Sequence, residues 1–426
     1  MGADIKVLQG NQIGGCITVI STDKTKIVID FGESLPGSGD GGNIDFDWEK
    51  ESVNAVFFTH YHGDHIGRFR EIPENVPLYM GEVTYKVIMN YREALKDTTT
   101  VELMKRRLDN GTIFFIERDT PVCINSDIVV TGYDVDHSAY DSFMYLVEAD
   151  GTTILHTGDF RDHGHRGKVI KSGRTINVVL EVIKRYVKKN GRKIDVLIIE
   201  GTMMNSRAGE KRFSEKDLLA WAKDYFKTHR YVFLKISSTN VDSLASFCQA
   251  AYKNKITVYT NRYILKQFAV YREHGRKYGT SIYSFPGAKP IRFISDKEGT
   301  DNSSTYEMLR EMREKGFLLI VSEYDHYEKL MDELSDCNPE MIYSMWRGYI
   351  DPEKDAYNEQ LARFCKKYHA FIKHTSGHAY PKLIEEVIKT VNPTEMIWPI
   401  HTENANAFTE LNLPEELKGR IKQNGN

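Results

Sequence analysis

Apolar residues in the first half of the chain come in short runs separated by glycine-rich turns, the pattern of β-strands rather than helices. Ile17-Thr18-Val19-Ile20 and Lys26-Ile27-Val28-Ile29-Asp30, bounded by Gly14-Gly15 and by Ser21 to Asp23, read as a hairpin. Further strands are predicted at 55–59, 128–133, 143–148 and 153–156, and a helix at 84–95. From about residue 210 the texture changes to longer helical patterns alternating with buried strands. Ser214-x-x-Asp217 resembles a capping box ahead of a helix at 218–227. Strands follow at 231–236, 256–259, 317–321 and 341–344, with helices at 241–252, 262–277, 305–315 and 324–334 between them. Such alternation predicts an α/β unit with a parallel sheet.

Composition narrows the class. Of 426 residues, 57 are basic and 60 acidic, for a net charge of −3, and hydrophobic residues make up 41%. That is the balance of a soluble globular protein, and no run approaches the ~18 apolar residues of a membrane span. The start of the chain lacks a basic segment followed by an apolar core, and Lys6 stands where a myristoylation signal wants Ser or Thr. Five scattered cysteines with no Cys-x-x-Cys pair argue against a disulfide framework or thiolate zinc site, and favour the reducing cytoplasm. The glycine-rich segment 37–42 reads as a flexible rim of the active site rather than a phosphate cradle. Residues 161–193 hold a dense run of Lys and Arg, either a solvated helix face or a phosphate-tracking patch.

The strongest chemical signal is Thr59-His60-Tyr61-His62-Gly63-Asp64-His65, directly after the apolar run Val56-Phe57-Phe58. Nitrogen and oxygen donors packed this closely at a strand end suit a divalent ion such as zinc. Alternation puts His60 and His62 on one side, and Gly63 is expected to permit the turn that sends Asp64 and His65 elsewhere.

This motif resembles the His-x-His-x-Asp-His signature of the metallo-β-lactamase superfamily. The resemblance implies seven ligands for two metal ions: His60, His62, His137, Asp64, His65, Asp159 and His401, with Asp159 bridging. It implies that Asp30 orients the histidine loop without touching metal. His60 to His137 is 77 residues, but Asp159 to His401 is 242, a gap that holds an inserted domain. The chain therefore looks like the β-CASP branch, whose members act on nucleic acids. Glu200 in Ile199-Glu200-Gly201, His378 in Ser376-Gly377-His378, and His401 match that branch's extra motifs. The implied fold is a metallo-β-lactamase αββα sandwich (residues 1–205 and 373–426) carrying a Rossmann-like α/β β-CASP domain (206–372).

Ser376-Gly377-His378 with the preceding His374 most resembles the ribonuclease J family. That resemblance implies a zinc-dependent ribonuclease, exonuclease from 5′ to 3′ and/or endonuclease, with Mn2+ or Mg2+ as alternative metals and RNA as partner. Asp64, Glu200 and His378 carry its catalytic roles, His378 serving the leaving 3′-oxygen under Glu200's control. Ser376, Gly377 and His374 are expected at the substrate, with a helix over 379–391 aiming N–H groups at a terminal phosphate. Ser237, Ser238 and Asn240, between a strand and a helix, resemble a further β-CASP segment and either present backbone N–H groups to a phosphate or only cap the helix. Rival readings are a DNA-directed nuclease of the same branch, single-stranded DNA included, and a small-molecule metallohydrolase, which needs neither the insertion nor Glu200 and His378. The usual C-terminal domain of ribonuclease J has no counterpart after His401, so its oligomeric state does not carry over.

Overall fold

A computed structural model describes residues 2–36, 42–206, 213–277, 279–297 and 299–422. Most of the 37–42 loop lies outside these residues. The chain divides into unit 1, Met1–Arg212 with Gly377–Asn426, and unit 2, Phe213–Ser376.

Unit 1 is built on two six-stranded sheets. In the first, β1 (Asp4–Leu8), β2 (Ile17–Ser21), β3 (Lys26–Ile29), β4 (Ala55–Phe57), β5 (Leu78–Met80) and β6 (Ile113–Phe115) lie side by side in chain order. The pairing is antiparallel through β3 and parallel from β3 to β6. The second sheet takes β7 (Pro121–Ile124), β8 (Ile128–Val135), β9 (Ser142–Ala149), β10 (Thr152–His156), β13 (Val196–Glu200) and β20 (Met396–Ile400), in the order β20-β13-β10-β9-β8-β7. A separate ribbon, β11 (Lys168–Lys171) with β12 (Arg174–Asn177), stands between β10 and β13 in the chain.

Strict two-residue alternation divides the second sheet's side chains between two cores. Ile128, Val130, Phe143, Tyr145, Val147, Ile154 and Ile198 meet Ile27, Ile29 and Phe57 of the first sheet. Their neighbours Tyr133, Val135, Met144, Leu146, Leu155, Leu197 and Ile199 face the other way, onto helices. Those helices are α5 (Val178–Val182) with its π-helical continuation Ile183–Val187, and α12 (Pro381–Val391). Before them in the chain come the short α1 (Trp48–Glu51) and α2 (Gly63–Ile66), then α3 (Glu82–Ala94) and α4 (Thr98–Asp109), which pack on each other. Unit 1 is thus the αββα sandwich. The ends of β3, β4, β8, β10, β13 and β20 lead directly into Asp30, His60, Asp136-His137, Asp159, Glu200 and His401.

Unit 2 is a Rossmann-like α/β body. Its strands β14 (Tyr231–Ile236), β15 (Thr257–Thr260), β16 (Lys289–Pro290), β17 (Phe317–Ile320), β18 (Glu340–Ser344) and β19 (Phe371–Ile372) order as β16-β15-β17-β14-β18-β19. Every pairing is parallel. The connections are α6 (Glu215–Tyr225), α7 (Val241–Lys253), α8 (Arg262–Lys277), α9 (Ser303–Lys315), α10 (Asp325–Asp332) and α11 (Glu359–Lys367). Ser214 and Asp217 form the capping box, and α6 starts at Glu215 rather than 218.

Unit 2 begins and ends later than the 206–372 span read from the sequence. The reason is local: β19 pairs with β18, and Thr375 and Ser243 donate hydrogen bonds to the buried Glu215 carboxylate, so 373–376 belong to this body. Two further expectations need correction. The helix expected from 379 starts at Pro381, because Tyr380 is its N-cap and Pro at the first helical position needs no N–H partner. The basic run beginning at 161 is not one helix face, since Lys168 to Asn177 form the β11–β12 ribbon. Among the described residues no helix is long and apolar enough to cross a membrane.

Candidate metal centre

Six loops of unit 1 bring their polar side chains to one place. Asp30 leaves β3 with a positive φ of 60°, costly for a non-glycine residue, and turns its carboxylate inward. One oxygen accepts from the Thr59 backbone N–H (2.7 Å) and the other accepts from the Thr59 hydroxyl (2.8 Å), while His65 Nδ1 sits 2.8 Å from it. Asp30 thereby fixes both the start and the end of the histidine loop. The turn after His62 is helix α2, and Gly63 is not what requires it: a Cβ there meets nothing closer than 4.0 Å, and its φ is not positive. Gly32 is the glycine that matters, because a Cβ on it would lie 1.8 Å from the Asp64 carbonyl oxygen.

His60 Nε2 lies 3.0 Å from His62 Nδ1, and His137 Nε2 lies 3.2 Å from that same atom. The single lone pair of His62 Nδ1 cannot accept from both neighbours, and the three nitrogens lie close enough together to hold one cation. Asp64, His65 and His401 form a second set, with His401 Nε2 at 3.2 Å and His65 Nε2 at 3.7 Å from Asp64 Oδ2. Asp159 Oδ2 stands between the sets, 3.1 Å from His65 and 3.9 Å from both His60 and His137. His65 Nε2 is buried and faces both carboxylates, Asp159 and Asp64, at the junction of the two sets.

The outer nitrogens are held as metal-ligand histidines require. His60 Nδ1 is 3.0 Å from the Thr59 hydroxyl, His137 Nδ1 is 2.7 Å from the Gly377 carbonyl, and His401 Nδ1 is 2.8 Å from the Thr202 hydroxyl. Gly377 can come this close because it has no Cβ; one would sit 2.7 Å from Ser138 Oγ. Thr202 was not singled out by its sequence, although it follows Glu200-Gly201, and nothing but its place beside a strand-end motif marks it.

Charge supports the fit. Burial, then repulsion from neighbouring imidazoles, holds His60 well below the usual histidine range. Burial pulls His62 down to about 4 and also lowers His137, so all three rings are neutral and free to ligate. Burial opposes ionisation of Asp64 and Asp159, but neighbouring histidines outweigh it and keep both well below the ordinary carboxylate range. Burial would lower His65 too, but the Asp159, Asp64 and Asp30 carboxylates outweigh it and hold this ring well above the usual histidine range. His65 must therefore give up a proton to ligate, whereas the neutral first set with ionised carboxylates already offers the donors of divalent zinc.

Glu200 is fully buried, yet it is not idle. Oε1 accepts the backbone N–H groups of Phe160 (3.3 Å) and Ala379 (3.1 Å), and Oε2 accepts that of Thr202 (3.1 Å). His378 Nδ1 lies 3.5 Å from Glu200 Oε2 and 3.5 Å from Asp159 Oδ2. Burial would lower this histidine, but the two carboxylates prevail and hold it up to about 9. The Ala379 N–H is thus committed to the Glu200 carboxylate and is not left over for a substrate phosphate.

The remaining sequence candidates lie in unit 2. His374 and Ser376 are half-buried in the segment after β19. The Ser237 hydroxyl pairs with Thr239 (2.8 Å), that of Ser238 with Tyr263 (3.1 Å), and Asn240 accepts the Ser243 N–H as the N-cap of α7.

Comparison with known proteins agrees with this geometry. The metallo-beta-lactamase superfamily model matches residues 13–91, the segment holding Asp30 and the histidine loop. Ribonuclease J of Helicobacter pylori is 30% identical over 171 residues, covering 36% of this chain and 22% of that protein. The DNA cross-link repair 1A protein of Gallus gallus is 29% identical over 133 residues, covering 31% and 12%. The DNA cross-link repair protein SNM1 of Arabidopsis thaliana is 22% identical over 225 residues, covering 51% and 40%. The chain therefore spans about a fifth of the length of ribonuclease J. A crystal structure of a protein of unknown function from Enterococcus faecalis V583 superposes with a TM-score of 0.65 at 17% identity, covering 97% of this chain and 98% of that one, which shows a shared fold. Residues 13–91 carry the metallo-β-lactamase superfamily match, and the ribonuclease J and cross-link repair relatives are consistent with the β-CASP branch.

Proposed function

We propose that this chain is a zinc-dependent ribonuclease of the ribonuclease J kind, hydrolysing RNA phosphodiester bonds from the 5′ end and internally in RNA processing or decay. The observation that carries the reading is the pair of donor sets sharing Asp159, with His378 and Glu200 beside that carboxylate. A small-molecule hydrolase has no use for the second pair. His60, His62 and His137 would hold one ion, and Asp64, His65 and His401 the other, with Asp159 common to both. The histidine-rich donors favour zinc, with Mn2+ and Mg2+ as alternatives. When bound, the ions neutralise the scissile phosphate and activate the attacking water.

The chain's own groups do the rest. Asp30, Thr59, Thr202 and the Gly377 carbonyl keep the ligand rings from turning away. Glu200 holds the Nδ1 side of His378, so that His378 keeps a proton for the leaving 3′-oxygen. In unit 2, Ser376, His374, Ser237, Ser238 and Asn240 are the proposed substrate contacts, with Ser376 at a terminal 5′-phosphate. All five cysteines are free, which fits a reducing, cytoplasmic setting.

RNA is put before DNA here because Ser376-Gly377-His378 with His374 resembles the ribonuclease J pattern, to which a 171-residue match of 30% identity adds. The cross-link repair relatives favour a second reading, a DNA nuclease on the same machinery. End-labelled RNA and DNA with hydroxyl, monophosphate or triphosphate 5′ ends, digested with defined metals, separate the two. Preferred cleavage of monophosphorylated RNA is the expected result. Preferred cleavage of DNA establishes the second reading, and cleavage of neither polymer overturns both.

A further inference from the structure

The basic run at 161–193 is divided by the fold into charges that hold the protein together and charges that do not. Arg161 is fully buried beside Asp136, Arg166 donates to the His137 and Ala139 carbonyls, and Lys188 donates to the last carbonyls of α12. Lys168 pairs with Asp162 at 2.8 Å. By contrast, Lys171 and Arg174 face each other across the end of the β11–β12 ribbon, exposed and with no ion pair or hydrogen-bonded partner for either side chain among the described residues. Beside them Ile170 is 75% exposed and Val169 46%.

The ribbon is anchored firmly at its root. The Asp162 carboxylate is buried and accepts from both Lys168 and the Asn177 amide (3.1 Å), one residue from each strand. Burial opposes its ionisation, but His163 and Lys168 outweigh that and hold it down to about 2. Asp162 lies three residues after Asp159, so the ribbon grows from the segment that supplies the shared ligand. Ser172 and Gly173, both at positive φ (50° and 75°), close it with a tight turn. Four residues per strand carry the tip about 13 Å from the root.

We infer that the β11–β12 ribbon is an arm that binds single-stranded nucleic acid away from the metal centre. This rests on the nuclease reading above for its role in turnover. Free cations with exposed isoleucine and valine call for a partner that offers both negative charge and apolar faces. A single strand does so through its phosphates and unpaired bases, whereas a duplex hides its bases in the stack.

The test uses the full, zinc-reconstituted chain and fluorescence anisotropy with a long labelled single strand. Lys171→Ala with Arg174→Ala should weaken binding of the long strand roughly fivefold and lower the slope of log affinity against log salt by about 1.4, near 0.7 for each phosphate no longer neutralised. Ile170→Ser should weaken the long strand without altering the salt slope. Lys24→Ala with Lys50→Ala removes equal charge from elsewhere in unit 1 and should do nothing. Unchanged binding in the ribbon variants, an equal loss in the Lys24/Lys50 control, or a parent that binds no single strand would each overturn the arm. So would light scattering in which Ile170→Ser dissolves a dimer while strand binding is untouched, since the occupant would then be a second copy. A parent that binds through the ribbon but cleaves no nucleic acid supports the arm and sinks the nuclease reading instead.

Discussion

Replacing Glu200 by Gln separates two roles that its position allows. Its oxygens lie within reach of His378, Asp159 and His401, a grouping that could hold an ion, yet three backbone N–H groups already occupy them. A glutamine can keep the Phe160 and Ala379 N–H groups on its one oxygen. Its amide then turns two hydrogens toward the Thr202 N–H, leaving that half-buried donor unpaired. The loss is one charge-assisted bond plus an unsatisfied donor, about 1–3 kcal/mol of local stability. His378 loses the carboxylate that orients it, and turnover should fall about 10²- to 10⁴-fold, the usual worth of a positioned acid. Both metal ions should stay. Adding His378→Ala should cost little more, because groups that act as a unit are not additive. The assay pairs steady-state cleavage with elemental analysis of the desalted protein. Loss of an ion from Glu200→Gln would make Glu200 a ligand, and multiplicative losses in the double variant would dissolve the pairing.

Other expectations follow from single contacts. Thr202→Val removes the partner of His401 Nδ1 and should weaken the Asp64/His65/His401 site about 10- to 100-fold in chelator competition; unchanged competition would leave Thr202 without a role. Burial, then repulsion from Asp134, raises Asp141 from the usual 3.8 to about 6, so the folded state binds the extra proton between those values and stability falls as pH rises through them. Asp141→Asn should therefore gain on the parent by up to about 3 kcal/mol between pH 4 and 6 in denaturant titrations, and a constant difference across that window would refute the assignment. Ser376→Ala should reduce the preference for a monophosphorylated end more than it reduces internal cutting, and an equal loss in both would remove Ser376 from the end pocket.

The candidate centre was legible because most of its segments follow apolar runs: strands announce themselves by hydrophobicity, and donors placed just beyond their ends stand out in chain order. What the sequence hid were features set by residues far apart in the chain. Gly32 looks like any loop glycine until the Asp64 carbonyl is packed against it. Helix α4 opens with three threonines, poor helix formers, and is held instead by the Asp97 cap and by Arg107, whose guanidinium donates to the Ile72, Pro73 and Val76 carbonyls from full burial. The Ser172-Gly173 turn was a hairpin signal in plain view, masked by the lysines and arginines around it. Unit 2 extended beyond its sequence boundary because a single buried acid, Glu215, gathers hydroxyls from α7 and from Thr375.

The central claim is that Asp159 joins two ion sites, and metal stoichiometry tests it most directly. Full-length protein reconstituted with zinc, desalted and measured by elemental analysis should carry two ions per chain. Asp64→Ala should carry one, with its folded circular-dichroism spectrum intact. A parent with one ion or none, or an Asp64→Ala variant that keeps two, would contradict the account.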